Sequence, residues 1–462
     1  MSDATPPLTA ARRVPSGAAT RRTLLLGGAG LALAGCETID SIFGESKKPL
    51  PGDRQSVLQA AGNISADPAA ASRPVTLPAP ANPAEWPQAG GNLAHNPGHV
   101  ATGGSLREAW RSSIGDGSGY RQRITAGPIA TADTVFTADA FAEVSAFDLA
   151  RGGRRWRVDS KPPRESAGVA GAGLAFDGGV LYAATGAAEV LAMDPSTGEV
   201  RWRARTPAPA RGAPTVAGGR IFVTTLENHL LALSTEDGRT LWTYRGQQVL
   251  AIPLGLPSAA VVGETVVAGF PSGELVALRA ADGRVQWSEG VSGGPGSRRG
   301  GIAELGGITG LPVVAEERVI ATGMGGTILS VDLRSGRRLW ERDVGSATTP
   351  AVAGDWVFLT STGGELVALS RLDGRIRWVS ALDNRPENRR RRDPATFGPP
   401  MLAGGQILVP SSLGEIVVAD PAEGAVTARI RTAGPATLPM AAVNGTILAI
   451  TDDGSLTAFR GA

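Results

Sequence analysis

Few residues in this chain have the means to do chemistry, and they are scattered. There are three histidines, His95, His99 and His229. His95 and His99 stand four apart, which on a helix would align two metal ligands, but Pro97 and Gly98 between them make the segment a loop. No cluster of Asp, Glu or Cys accompanies them, so no metal site is expected. The glycine-rich stretches GSGY (Gly117–Tyr120) and GGPGS (Gly293–Ser297) follow no strand–helix unit and carry no Lys-Ser/Thr ending, so neither should cradle a phosphate. There is no GxSxG and no convincing triad. The expectation is no catalytic residue, no cofactor and no metal. The remaining reactive group is the thiol of Cys36, the sole cysteine.

What precedes that thiol gives it a role. Arg12, Arg13, Arg21 and Arg22 form a basic start, followed by the twelve apolar residues of Thr23–Ala34. Twelve is too short to span a bilayer and suits a signal peptide. The segment ends in Leu33-Ala34-Gly35-Cys36, which resembles the lipobox of bacterial lipoproteins. The resemblance implies cleavage before Cys36 and a diacylglycerol on its sulfur, with each buried CH₂ adding about 0.8 kcal/mol of membrane affinity. Two export routes stay open, the general secretory route and, from Arg21-Arg22, the twin-arginine route. Residues 1–35 carry four arginines and Asp3, so their removal turns a whole-chain charge of +2 into about −1. Net charge therefore gives no case for nucleic acid. Residues 36–84 read as a lipidated Ala/Pro-rich tether, reaching about 35–40 Å if flexible. The ordered domain is expected over 85–462.

The elements that must position everything else come from one repeated phrase. LVALSRLDGRIRW (Leu366–Trp378) recurs at Val144–Trp156, Val190–Trp202, Leu230–Trp242, Leu275–Trp287 and Ile328–Trp340. Ile416–Ala428 keeps the frame with Ala428 in place of Trp. Apolar residues suited to a buried strand lead to a polar stretch ending in Gly, then to a second strand ending in Trp, which reads as a β-hairpin. Successive tryptophans are 46, 40, 45, 53 and 38 residues apart from Trp156 onward. That period, with two further apolar strands before each hairpin, predicts an all-β, eight-bladed β-propeller of four-stranded blades. The last blade ends at the C-terminus without its outer strand, and Leu106–Trp110 is expected to supply it. The tryptophans are expected to staple blades together. Two connections break the regularity, Val291–Gly310 and Asp383–Pro394, the latter with Arg389–Arg392 in succession. The arginine run reads first as a solvated loop, and otherwise as a contact for anionic lipid or an acidic partner.

The repeat AxDxxxGxxxW, closest at Met193–Trp202, resembles that of the pyrroloquinoline-quinone dehydrogenase-like propellers. Within that group, the lipobox, the tether, Trp86-Pro87 through Gly90-Gly91-Asn92 and His95, and eight such repeats resemble the BamB-type outer-membrane assembly lipoproteins. The resemblance implies a non-enzymatic scaffold, lipid-anchored on the periplasmic side of the outer membrane. Its partners would be the periplasmic domains of the barrel-inserting protein and other subunits of the assembly machinery. It maps partner contact onto Val249, Ala251 and Ile252 before blade four and onto Gly307 and Thr309 before blade five, with Glu304 nearby. The charged side chains of the family pattern are absent from those positions. Two rival readings are a quinoprotein oxidoreductase, which needs charged groups and a cation site in the channel, and an envelope lipoprotein propeller with an unrelated protein partner.

Overall fold

The repeated phrase forms a hairpin because each of its halves has only one stable place. In blade 3 the strands are Thr215–Ala217, Arg220–Thr224, His229–Ser234 and Thr240–Arg245, paired in that order and antiparallel. The third strand, HLLALS, is buried from Leu230 to Ser234 because neighbouring blades cover both its faces. The fourth strand faces solvent at the rim, with Arg245 outward and Trp242 turned in. The computed structural model describes residues 64–461 except 121, 163–170, 211, 248, 250–254, 292–306, 384 and 386–393. These residues belong to one compact unit beginning at Ala60. They form eight four-stranded sheets, the eight-bladed propeller that the repeat predicts.

A bulge recurs where the outer strand leaves the hairpin. In blade 3 Ala232 faces Trp242 and Leu233 faces Thr240, so Leu241 is extra. The same shift precedes the tryptophan in blades 1, 2, 4, 5 and 6. One extra residue twists the strand and re-aims the next side chain, here toward the following blade. There each indole N–H donates to a carbonyl of the next hairpin: Trp156 to Pro195, Trp242 to Ala280, Trp340 to Arg371 and Trp378 to Pro421, at 2.8–3.0 Å. The hairpin glycine lies flat on the ring. Gly374 sits at φ +68°, and a Cβ on it would be 2.6 Å from Trp340. The repeat's Gly-and-Trp pairing is thus a contact between blades, not within one.

Ring closure explains the missing tryptophan. Leu106–Ser113 pairs antiparallel with Ser455–Gly461 as the outer strand of blade 8. Blade 8 therefore has no hairpin between its third and fourth strands, and an indole at position 428 would find neither carbonyl nor glycine to sit on. Ala428 is exposed. The two chain segments cross instead at Gly103 and Gly461, where a Cβ on Gly461 would fall 2.2 Å from the Gly103 backbone.

The tether boundary needs correction. Residues 64–84, read from composition as linker, lie along the propeller. Asp67 N–H donates to Ile376 O at 2.8 Å, and its carboxylate accepts Ile376 N–H at 2.7 Å, capping the outer edge of blade 6. Ala70 is fully buried, Arg73 pairs with Asp373 at 2.9 Å, and Val75 and Leu77 pack on the core of blades 6 and 7. Backbone pairing and small residues make this strap, so no periodicity announces it. Residues 36–63, including Cys36 and its lipobox neighbours, lie outside the described residues.

Candidate docking face and central channel

In an up-and-down blade, connections between blades and the turns between second and third strands open on one face. The hairpin loops open on the other. The connections are the longer and more varied loops, so this connection face is where specificity can be built. The channel between the inner strands is closed from the hairpin side by residues 86–100. Trp86 exchanges two backbone bonds with Ala130 of blade 1. Pro87 O accepts from Phe176 of blade 2, Leu93 O from Val261 of blade 4 and Ala94 O from Val314 of blade 5. The buried Gln88 amide both donates to and accepts from Val216 of blade 3, at 3.0 and 2.9 Å. Val100 bonds Leu402 and Gly404 of blade 7. One segment thus satisfies inner-edge groups of six blades, which a bare channel wall would leave to water.

Both nearby histidines serve this plug. His99 Nδ1 bonds Pro78 O at 2.8 Å and its Nε2 accepts Gly405 N–H at 2.8 Å, tying strap to blade 7. His95 Nδ1 bonds Pro312 O at 2.9 Å, and burial lowers its pKa to about 4. Above the plug lies a cavity of about 350 Å³ walled by the starts of the inner strands, among them Pro128, Leu256, Leu311 and Met440. None of the described residues lining it is Asp, Glu, Lys, Arg or His. A carboxylate-bearing quinone with a divalent cation needs charged partners and oxygen ligands. This wall does not fit such a group.

The six residues expected to meet a partner are placed unevenly. Ala251, Ile252 and Glu304 lie outside the described residues. Val249 is half-buried. Gly307 is buried, and a Cβ there would lie 2.6 Å from Pro271 O, so the position leaves no room for a charged side chain. Thr309 turns inward; its hydroxyl donates to Ala347 O at 2.9 Å and lines the cavity. What joins the two connections is the blade 4 turn Phe270–Glu274. Ile308 N–H donates to Phe270 O on one side, and Gln247 N–H donates to the Glu274 carboxylate on the other. Met324, exposed, caps the same place through its N–H to Gly307 O.

Glu274, which the sequence does not single out, stands between the two connections. Glutamate begins the third strand in blades 1, 2, 4, 6 and 7. In blades 1, 2 and 7 it pairs with an arginine just after the tryptophan position, Glu143 with Arg157, Glu189 with Arg203 and Glu415 with Arg429. Blade 4 has Ser288 there, and Glu274 instead accepts the Tyr244 hydroxyl of blade 3 at 2.5 Å. Burial, then that carboxylate, push the Tyr244 pKa upward. The signal was present as Tyr244, an aromatic two residues beyond Trp242 where the other blades have none.

Residues 140–380 match the family model described as outer membrane protein assembly factor BamB. The chain is 28% identical over 368 residues to the BamB of Burkholderia pseudomallei, covering 77% of this chain and 88% of the relative. It is 29% identical over 370 residues to that of Bordetella pertussis, covering 78% and 88%. The crystal structure of BamB from Moraxella catarrhalis superposes with a TM-score of 0.66 at 22% identity, covering 77% of this chain and all of that one. The quinohemoprotein alcohol dehydrogenase of Comamonas testosteroni shares the fold, with a TM-score of 0.62 at 13% identity, covering 82% and 81%.

Proposed function

The chain belongs to the outer membrane protein assembly factor BamB family, and from that membership we propose that it is a non-enzymatic scaffold lipoprotein of the outer-membrane β-barrel assembly machinery. Cys36 carries the lipid that holds it at the periplasmic face of the outer membrane. Its partner is the barrel-inserting protein, met through that protein's periplasmic domains. The observation that carries this reading is the plugged channel, in whose wall none of the described residues is Asp, Glu, Lys, Arg or His. Those residues do not suit a quinone with a cation, and the connection face is then the working surface.

On that face the docking patch is centred on the Phe270–Glu274 turn. Val249 flanks it from the blade 4 connection, and Gly307 and Thr309 from the blade 5 connection; Ala251, Ile252 and Glu304, which complete the expected set, lie outside the described residues. Gly307 and Thr309 contribute shape, while Glu274 and Met324 contribute an acidic and an apolar contact. Isolation of the tagged lipoprotein from solubilised envelopes at moderate salt tests the proposal. Near-stoichiometric recovery of the barrel-inserting protein is expected, with loss on Glu274→Arg. Recovery of the lipoprotein alone, or with an unrelated enzyme, sinks the assembly role and favours a different envelope partner.

A further inference from the structure

His95 and His99 sit in the same plug and are treated differently by it. Both nitrogens of His99 have backbone partners. His95 is 2% exposed, and only its Nδ1 is paired, with Pro312 O. A carbonyl accepts and never donates, so the proton is on Nδ1 and Nε2 bears a lone pair. That nitrogen is buried and has no hydrogen-bond partner among the described residues.

His95 is among the residues lining a second cavity of about 50 Å³. Space of that size admits a hydroxyl or amine head, or one or two waters. The competing side-chain acceptor on its wall, the Thr349 hydroxyl, already takes the Leu311 N–H at 2.9 Å. The small cavity shares Trp86, Gly90, Leu311, Thr349, Pro399 and Met440 with the 350 Å³ chamber above it. The larger chamber is in the size range of small-molecule sites, and its wall is mostly apolar and uncharged. It reaches the connection face beside Ala347 and Met324, both exposed.

We propose that the two cavities are one binding site for a small, uncharged, largely apolar molecule with a single hydrogen-bond donor, its body in the large chamber and its donor on His95 Nε2. None of the described residues lining either cavity is Asp, Glu, Lys or Arg, which favours an uncharged ligand. A ligand without a donor leaves the buried nitrogen unpaired and binds more weakly. The proposal does not rest on the assembly role, although the chamber wall shares Thr309 and Met324 with the docking patch.

The test uses the full lipoprotein in nanodiscs, labelled with ¹⁵N-histidine; three histidines make the ring-nitrogen spectrum simple to assign. The probes are p-cresol and its donor-free shape match p-xylene. Expected are a His95 tautomer protonated on Nδ1, movement of the Nε2 resonance on adding p-cresol only, and roughly three- to tenfold tighter binding of p-cresol. His95→Phe abolishes that preference while keeping the apolar chamber. Equal affinities with Nε2 unmoved, an Nε2 signal already fixed by water and insensitive to the probe, or no binding of either compound would each overturn the proposal. Should His95→Phe fail to fold, the response of Nε2 in the natural chain decides alone.

Discussion

The junction between blades 5 and 6 and the junction between blades 7 and 8 solve the same problem with different chemistry. At the first, Trp340 lies under Gly374 and donates to Arg371 O. The Arg371 side chain, 5% exposed, bonds Gly354 O, Glu316 and Asp355. Everything needed is local to two neighbouring repeats. At the second there is no indole and no hairpin; Val100 and His99 of the plug bond blade 7, and the chain runs on from them into the outer strand of blade 8. A repeat can be stapled by side chains wherever its neighbour is whole. Where the neighbour is split, backbone pairing has to take over.

The comparison is broken most severely by removing Ser455–Ala462. The closing strand then loses its partner along its whole length, and the expected result is failure to form a cooperative native state, read as loss of a single denaturation transition. Trp340→Ala comes next. It vacates a buried ring at one stapled junction and should cost about 3–5 kcal/mol in urea denaturation. A smaller loss than 1 kcal/mol would show that the ring is held by its strands alone. Acid acts on the plug through His95. Its folded pKa of about 4 lies below the ordinary 6.5, so between these values the unfolded chain binds a proton that the folded chain refuses. Stability therefore falls as pH drops through that window, by at most about 1.4 kcal/mol per pH unit from this group, and is insensitive to it above pH 7. Denaturation midpoints at pH 7 and 5 measure it, and His95→Phe removes that share of the slope. Ala428→Trp should do least. The new ring has no hairpin to sit beneath, so a change within about 0.5 kcal/mol is expected; a large gain would mean that the closing junction can be stapled after all.

Fold and site were unequally legible in the sequence. The hairpin phrase, the eight blades and the split last blade could be read because they rest on side-chain patterns that repeat. Even the substitution at Ala428 was visible, although its reason, the absent hairpin of blade 8, needed the three-dimensional neighbour. The strap over 64–84 and the plug over 86–100 could not be read, because they bind through main-chain groups that every residue carries. Asp67 and Gln88 look like ordinary polar residues until Ile376 and Val216 are seen beside them. Of the expected docking positions, Gly307 is a packing glycine. The acid that stands there, Glu274, was concealed because most blades have a glutamate at that point. Only its partner differs.

The split last blade also sets a timetable. Leu106–Ser113 is made before any blade, yet its partner strand is Ser455–Gly461, about 350 residues later along the chain. Bringing such distant segments together costs on the order of 5 kcal/mol of chain entropy before any contact repays it. Until then the inner edges of the blades and the first strand all wait unpaired. Strand Ser455–Gly461 thus decides whether Leu106–Ser113 finds its place, and a chain interrupted before it is not a smaller propeller but an open strip that must be shielded or destroyed. If the chain crosses the membrane unfolded, its escort has to hold it until its final strand has arrived.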